Sequence, residues 1–445
     1  MHLLLLLLLL LQLLLLTASF SVAAPITPHT QLALPELITA ERLRGHYEQL
    51  QLIANANGGS RAIATGYNDS AAYVMSQLSA GAPNFQVSVD YLTVGVWTQI
   101  SNPVLSMLQP VPVSFQLATD FNSIRYGGYV DVETILTDVA SYVSNGGCAQ
   151  ADWDGFPAGA IALVEVSLQC ELYQKAFLAE DSGAIALLVH QTPGVSGIPG
   201  GRVRDVYWKF GDRNAVIPTL GVSQTVGLFI RQSTAEVTVS MTFNAELRFH
   251  DTFNVIADTP DGSEDSIVTI GAHLDSVPEG PGLNDNGSGS VSVLEVALQF
   301  ARSYPSFPSQ TNKIRFCWWG AEEIGLLGSR SYLRNLATNF PDLFARIKLN
   351  VNHDMLGSPN GQVNVHRASD APAPLLSPSL SIQTLYEDFY TASGIPYTLT
   401  AMVGGSDFLP FLENNIPAGG LNTGASGIKT AAERTVKMPS FSFSL

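Results

Sequence analysis

The stretch "GAHLDSVPEGPGLNDNGSGS", residues 271–290, combines a histidine and several acidic residues with glycines. A glycine-rich loop before a helix could bind phosphate, because backbone amides can close around an anion at a helix N-terminus. This loop, however, has no lysine, and its carboxylates would repel phosphate and attract a cation. The residue types therefore predict a metal-binding loop.

Further acidic residues follow other predicted strands of the same region. The polar residues at these strand ends are His273 and Asp275 in "SIVTIGAHLD", Asp285 in the glycine loop, Glu322 and Glu323 after "IRFCWWGA", and Asp354 in "IKLNVNHDM". In open α/β sheets, ligands bind at the carboxyl ends of the strands. A single histidine there is usually a hydrogen-bonding residue, and a Glu-Glu pair is usually a solvated turn. The whole set at one sheet edge would repel itself without a cation, and an imidazole with carboxylates is a zinc-binding mixture.

The elements that must position these residues alternate between strand and helix patterns. From about residue 247, apolar or alternating strand runs precede helical stretches such as "SVSVLEVALQFARSY". This order predicts an α/β fold with a mostly parallel central sheet flanked by helices. Residues 117–246 differ in texture, with "GAIALVEV", "CELYQKAFLAEDSG" and "AIALLVHQ" forming a strand, helix, strand unit. We expect an inserted smaller α/β or β-rich domain there, without catalytic residues.

Charge and the N-terminal leader limit the partners and the location. Lysine and arginine number 22 against 38 aspartate and glutamate, a net charge of -16, so nucleic acid is not expected as a partner. Residues 1–24 begin "MHLLLLLLLLLQLLLL" and end in small residues, which predicts a secretory signal peptide and a secreted, extracellular protein. A retained membrane anchor stays open as the alternative, although no stable membrane association is expected.

The three cysteines allow one disulfide and one free thiol in an oxidising compartment. We expect Cys148 to pair with Cys170, and Cys317, inside the apolar run "IRFCWW", to be a buried thiol. Two N-glycosylation sequons occur, at Asn68 and at Asn286. A glycan on Asn286 would block the predicted metal loop.

The motifs "AHLDS", "NDNGSG", "WWGAEEIGLLGS" and "NHDMLGSPN", in this order, resemble the secreted di-zinc aminopeptidases of metallopeptidase family twenty-eight, the bacterial and fungal leucine aminopeptidase type. The resemblance extends to "ERLRGHYEQLQLIANANGGSRA" and to "GGSDFLPFLENNIPAGGLNTGASGIKT". It implies a zinc exopeptidase fold formed by residues 35–116 and 247–445. It also implies that residues 117–246 are an inserted protease-associated domain.

The resemblance also implies a role for each residue of the predicted site. The metal ligands would be His273, Asp285 and Asp354 for one Zn²⁺ ion, and Asp285 with Glu323 for a second. Glu322 would be the general base, and Asp275 the carboxylate that orients the imidazole. Such a site would hydrolyse N-terminal residues from peptide substrates with a metal-activated water.

The chain departs from the family pattern near its C-terminus. The second zinc of the family takes a further histidine there, but no histidine follows His366, and the ending "VKMPSFSFSL" does not match. The missing histidine and the unmatched ending predict a truncated C-terminus. Two zinc ions are expected for the family, and one remains an option here. The alternatives are a catalytically impaired or non-catalytic binding relative, and a glutaminyl cyclase with one zinc. The inserted domain and the Glu322-Glu323 pair argue against the cyclase. The preferred N-terminal residue and the oligomeric state stay open.

Overall fold

A computed structural model describes residues 34–204, 212–303, 311–402 and 405–425. The predicted signal peptide, residues 1–24, and the C-terminal ending that lacks the expected histidine lie outside the described residues. Among the described helices, none combines the length and the apolar character needed to cross a membrane. The chain divides into two compact units: the first runs to Val94 and resumes at Asp251, and the second spans Gly95–His250.

Helices and strands alternate along much of the described chain. The helices are α1 (Leu34–Leu37), α2 (Ala40–Ala56), α3 (Tyr67–Gly81), α4 (Leu172–Asp181), α5 (Gln224–Gln232), α6 (Gly289–Ser303), α7 (Leu327–Asn339), α8 (Pro341–Arg346), α9 (Leu376–Ala392) and α10 (Phe408–Glu413). The strands are β1 (Gln86–Gln99), β2 (Val104–Gln109), β3 (Val113–Ser114), β4 (Phe121–Ser123), β5 (Val130–Tyr142), β6 (Ile161–Glu165), β7 (Ala186–His190), β8 (Thr219–Val222), β9 (Thr238–Asp258), β10 (Ser263–His273), β11 (Asn312–Trp319), β12 (Ile347–His353), β13 (Asn364–His366), β14 (Thr398–Thr400) and β15 (Ala418–Asn422).

The first unit is built on a mostly parallel sheet. Its strands follow the order β14-β13-β15-β12-β10-β11-β9, with β10 parallel to both β11 and β12, and β12 parallel to β15. The C-terminal part of β9 runs antiparallel to β11, and β13 runs antiparallel to β15. This arrangement confirms the predicted α/β fold with a mostly parallel sheet.

Strand β10 lies inside this sheet because its sequence is apolar on both faces. Ile267, Val268 and Ile270 are all buried, as expected for a strand with neighbours on both sides and cover above and below. Helix α6 contributes to the cover, and nearly all its residues are buried. The predicted metal residues therefore follow rigid, buried elements.

The second unit has its own parallel strands and its own cores. Strands β5, β6, β7 and β8 pair in parallel in that order, β4 adds antiparallel to β8, and β9 adds antiparallel to β5. The sequence-based boundary at residue 117 differs from the division at Gly95 because β2 pairs with β9, and Leu105 and Met107 pack into the core of the second unit. A disulfide joins Cys148 and Cys170, and Cys317 is a buried free thiol, in agreement with the predicted pairing.

The chain leaves the first unit and returns to it at one place. The Thr93 hydroxyl donates a hydrogen bond of 2.7 Å to the Asp251 carboxylate. These two residues of the first unit flank the 95–250 segment in the sequence. The insertion therefore begins and ends at neighbouring points.

Candidate metal centre

His273, the last residue of β10, is the centre of the acidic cluster. Its side chain is 1% exposed, and its Nε2 atom lies 3.2 Å from the Asp285 carboxylate. The same nitrogen is 3.4 Å from Asp354 and 3.9 Å from Glu322. The structure thus brings together residues that the sequence places far apart.

Sheet register explains this convergence. His273 pairs with Trp319 across the parallel β10 and β11 strands, so Glu322 follows just past the end of β11. On the other side, β12 ends at His353, and Asp354 is the next residue. Parallel neighbours end at the same sheet edge, and their last side chains therefore share one location.

Arg61 braces the loop between β10 and the Asp285 turn. Its guanidinium donates hydrogen bonds of 2.8 Å to the carbonyl oxygens of Pro281 and Gly282, and it also donates to that of Leu274. Burial lowers the pKa of Arg61 to about 10. Gly282 has a φ of 58°, and a Cβ atom there would lie 2.3 Å from the Asp285 carbonyl oxygen. The glycine therefore allows the tight turn that presents Asp285.

Asn286 anchors the other side of the loop. Its side-chain amide donates 2.9 Å to the His353 carbonyl oxygen, and its Oδ1 accepts from the backbone N–H groups of Gly289 at 2.8 Å and Met355 at 3.2 Å. The residue is fully buried. Of the two sequon asparagines, Asn286 is thus buried and hydrogen-bonded within the fold, whereas Asn68 is exposed.

Asp275 contacts several residues of the predicted site. One of its carboxylate oxygens is 3.5 Å from His273 Nδ1, and its carbonyl oxygen is 3.2 Å from the same nitrogen. The two carboxylate oxygens accept hydrogen bonds from the backbone N–H groups of Glu322, at 3.1 Å, and Glu323, at 3.2 Å. A single side chain therefore contacts both the imidazole and the backbone of the acidic pair.

Asp354 has a support that the sequence reasoning missed. The Ser406 hydroxyl donates 2.7 Å to Asp354 Oδ2, and Asn352 donates 2.7 Å to the same hydroxyl oxygen. The adjacent Asp407 is buried and accepts a hydrogen bond from the Ser329 hydroxyl. Ser406 lies in "GGSDF", a stretch that carried the family resemblance but had received no role; Arg61 was missed in the same way.

Three carboxyl groups in and around this cluster favour their neutral forms, whereas for Asp354 burial would raise the pKa, but His273 outweighs it and lowers the pKa. Burial raises the pKa of Glu322 well above its usual range, although His273 opposes the shift. Burial also raises the pKa of Glu323 to about 8 and that of Asp407 to about 7. For His273, burial would lower the pKa, but Glu322 and Asp354 outweigh it and raise the pKa well above its usual range. The site therefore favours additional positive charge.

The arrangement fits a divalent metal ion. Ligand atoms of His273, Glu322 and Asp354 lie within 4.8 Å of one another. Among the described residues, the buried Glu323 Oε1 and Asp354 Oδ1 atoms have no hydrogen-bond partner, and a cation would satisfy them. An imidazole nitrogen with carboxylate oxygens is a donor set suited to zinc.

Two histidines near the cluster are engaged elsewhere. His353 Nε2 is 3.1 Å from the Tyr386 hydroxyl, and the His366 ring lies edge-on to Phe408 at 4.9 Å. Burial lowers the pKa of His353 to about 3 and that of His366 to about 4. Neither contact supports a substitute for the histidine expected near the C-terminus, where the residues after 425 lie outside the described part.

Comparison with known proteins gives two family matches and close relatives. The model of "Peptidase family M28" matches residues 254–436, and that of the "PA domain" matches residues 135–230. An aminopeptidase from Pseudomonas aeruginosa is 34% identical over 418 residues, which is 92% of this chain and 75% of the relative.

Solved structures share the fold. The chain is similar to an aminopeptidase from Aneurinibacillus sp., with a TM-score of 0.65 and 22% identity over 86% of this chain and 85% of that one. It is also similar to BSAP, a zinc aminopeptidase from Bacillus subtilis, with a TM-score of 0.55 and 23% identity over 87% of this chain and 86% of that one.

Proposed function

Because the chain belongs to peptidase family M28, we propose that it is a secreted, zinc-dependent aminopeptidase that hydrolyses N-terminal residues from peptides. The observation that carries the proposal is the convergence of His273, Asp285, Asp354 and Glu322 at one sheet edge, where His273 and Glu322 are buried and three carboxylates face a single imidazole. The names of the similar aminopeptidases support the same activity.

Two of the proposed metal ligands, Asp285 and Asp354, are the carboxylates nearest to His273 Nε2. His273, Asp285 and Asp354 would hold one Zn²⁺ ion, and Asp285 with Glu323 would contribute to a second. A bound zinc ion supplies a Lewis acid that polarises the scissile carbonyl and acidifies a bound water. The unpartnered Glu323 Oε1 supports a ligand role for this carboxylate.

Glu322 is the proposed general base. Its carboxylate faces the same site as the ligands, 3.9 Å from His273 Nε2, and its side chain is only 8% exposed. Burial raises the pKa of Glu322 and so makes its ionised form more basic, and this form would accept a proton from the attacking water. It would then pass this proton to the leaving amine.

Asp275 is the proposed orienting residue. A proton on His273 Nδ1 would face the carboxylate and the carbonyl oxygen of Asp275, which leaves the Nε2 lone pair for a metal. The hydrogen bonds from the Glu322 and Glu323 backbone fix the acidic pair against the same side chain. Asp275 would thus orient the base and the ligands without contacting the substrate.

The non-catalytic alternative is less well supported. A binding relative would not need a buried general base beside the ligands, and Glu322 is retained in that position. The protease-associated match covers residues 135–230, and the polar cluster described above lies wholly in the first unit. The buried Glu322 beside the proposed ligands therefore favours an enzyme over a binding protein.

The test is hydrolysis of leucine 4-nitroanilide and of a peptide with a free or an acetylated N-terminus by the purified full chain. We expect release of the N-terminal residue only from the free form. Glu322→Gln should lower kcat about 100-fold to 10,000-fold while zinc content is kept. Glu48→Gln, an exposed change on α2, is the matched control and should leave kcat unchanged.

Three results would reject the proposal. They are full activity in Glu322→Gln, equal cleavage of the acetylated peptide, and no turnover by zinc-loaded protein. Cyclisation of an N-terminal glutamine in place of residue release would indicate the cyclase instead.

A further inference from the structure

A buried lysine lies against the disulfide of the second unit. Lys175, on α4, is 2% exposed, and its ammonium nitrogen is 3.6 Å from Cys148 Sγ. The ammonium also donates to the carbonyl oxygen of Glu165 at 3.1 Å and to that of Gly146. Its direct contacts in the described chain are therefore carbonyl dipoles and a neutral sulfur.

The nearby carboxylates are engaged by other groups. Asp152 accepts from the Ala149 backbone at 2.8 Å and from Asn145 at 3.0 Å, and the Glu165 carboxylate pairs with Arg231 at 3.2 Å. Both act on the ammonium only at longer range. A buried charge that lacks an adjacent counter-ion is costly, so an anion formed beside it is stabilised.

The backbone around Cys148 is shaped to this lysine. Asn145, Gly146 and Gly147 have positive φ values of 54°, 74° and 65°. A Cβ atom on Gly146 would lie 3.1 Å from the Lys175 nitrogen, closer than ordinary van der Waals contact. The "NGGC" sequence therefore places the Gly146 carbonyl oxygen and the Cys148 sulfur in contact with the Lys175 ammonium group.

We propose that the Cys148–Cys170 disulfide is a thiol-exchange site that captures a small thiol on Cys170. The thiolate of the incoming molecule attacks Cys170 Sγ, a new sulfur–sulfur bond forms, and the Cys148–Cys170 bond breaks. The electron pair of the broken bond stays on Cys148, which leaves as a thiolate paired with the Lys175 ammonium. The product is a mixed disulfide at Cys170, with no net change in redox state.

The direction of attack follows from the position of the charge. In thiol-disulfide exchange, the sulfur with the lower thiol pKa leaves faster, and an adjacent cation lowers the pKa of a thiol. Lys175 lies beside Cys148, which makes Cys148 the leaving sulfur. Cys170 is itself partly exposed and lies between the exposed Gln169 and Glu171, so a small thiol can approach it.

The first experiment uses the wild-type full chain. Folded protein is incubated briefly with glutathione, labelled at free thiols under native conditions, then quenched with acid and mapped by peptide mass spectrometry. We expect glutathione on Cys170 and label on Cys148. The buried Cys317 reports unfolding, because it should stay unlabelled under native labelling. Glutathione on Cys148, an even distribution, or no adduct would overturn the proposal.

Variants at Lys175 test the role of the charge. Lys175→Met should slow adduct formation about tenfold, because the leaving thiolate loses its cation. Lys175→Arg keeps a positive charge and should restore much of the rate. Equal rates in all three proteins would reject the mechanism. If Lys175→Met does not fold, the wild-type mapping still decides which sulfur is attacked.

Discussion

The Asp275 carboxylate accepts a hydrogen bond of 3.1 Å from the backbone N–H of Glu322, the proposed general base. Its other oxygen accepts from the next backbone N–H, that of Glu323, at 3.2 Å. The same side chain faces His273 Nδ1 at 3.5 Å. The positions of the proposed base, of one proposed ligand and of the imidazole thus depend on two oxygen atoms of one residue.

This geometry makes Asp275→Asn a sharp test. An asparagine has one acceptor oxygen, and its NH₂ group would face a backbone N–H or the Nδ1 proton. We expect zinc affinity and kcat each to fall about 10-fold to 100-fold. The measurements are zinc competition with a chelator and steady-state kinetics, and thermal unfolding checks the fold. Unchanged zinc affinity would mean that the imidazole needs no orienting carboxylate.

Ser406 should matter for Asp354 in a similar but smaller way. Ser406→Ala removes the 2.7 Å hydrogen bond to Asp354 and leaves the Asn352 amide without its acceptor. We expect zinc affinity to fall about tenfold, since hydrogen-bond partners of metal ligands tune affinity on this scale. Ser406→Thr keeps the hydroxyl and should restore the affinity; failure of threonine to do so would point to packing instead.

The adjacent glutamates should separate into two phenotypes. Glu323→Gln is expected to lower the bound zinc measured by elemental analysis, because it weakens a ligand. Glu322→Gln should keep the zinc content of the wild-type chain and lose turnover. The reverse pattern would exchange the proposed roles of these two residues.

A pH effect on stability is expected from His190 in the second unit. Burial lowers the pKa of this imidazole, while the unfolded chain binds a proton near the usual pKa of about 6.5. The unfolded state therefore holds more protons below that pH, and stability present above it is lost as the pH falls.

Urea unfolding at pH 7 and pH 5 measures this loss. The free energy of unfolding should fall more steeply for the wild type than for His190→Leu, by up to about 1.4 kcal/mol per pH unit. Equal slopes for the two proteins would contradict the assignment to His190.

Glycosylation should occur on Asn68 and not on Asn286. Asn68 is exposed, whereas both side-chain polar atoms of the buried Asn286 are hydrogen-bonded within the fold. After secretion from a eukaryotic host, enzymatic deglycosylation should shift the mass by one glycan. Asn68→Gln should abolish this shift; a glycan that persists in the variant would show that Asn286 is accessible during folding.

The sequence predicts the convergence of the site because strand ends obey a general rule. His273, Glu322 and Asp354 each follow an apolar strand, and parallel strands end at one edge. The sequence does not show which strands are neighbours, so the bonds from Asp275 to the turn after β11 could not be predicted. The same holds for Arg61, whose carbonyl partners lie 213 or more residues away.

The Thr93–Asp251 hydrogen bond bears on how the chain folds during synthesis. Arg61 leaves the ribosome long before the loop that it braces, and closing so long a chain segment costs entropy that grows with its length. If residues 95–250 fold first, their adjacent ends reduce the intervening chain to the span of a short turn. The folded insertion would then lower the entropic cost of closing this loop. Early folding of this unit would set the rate at which the predicted metal loop is completed.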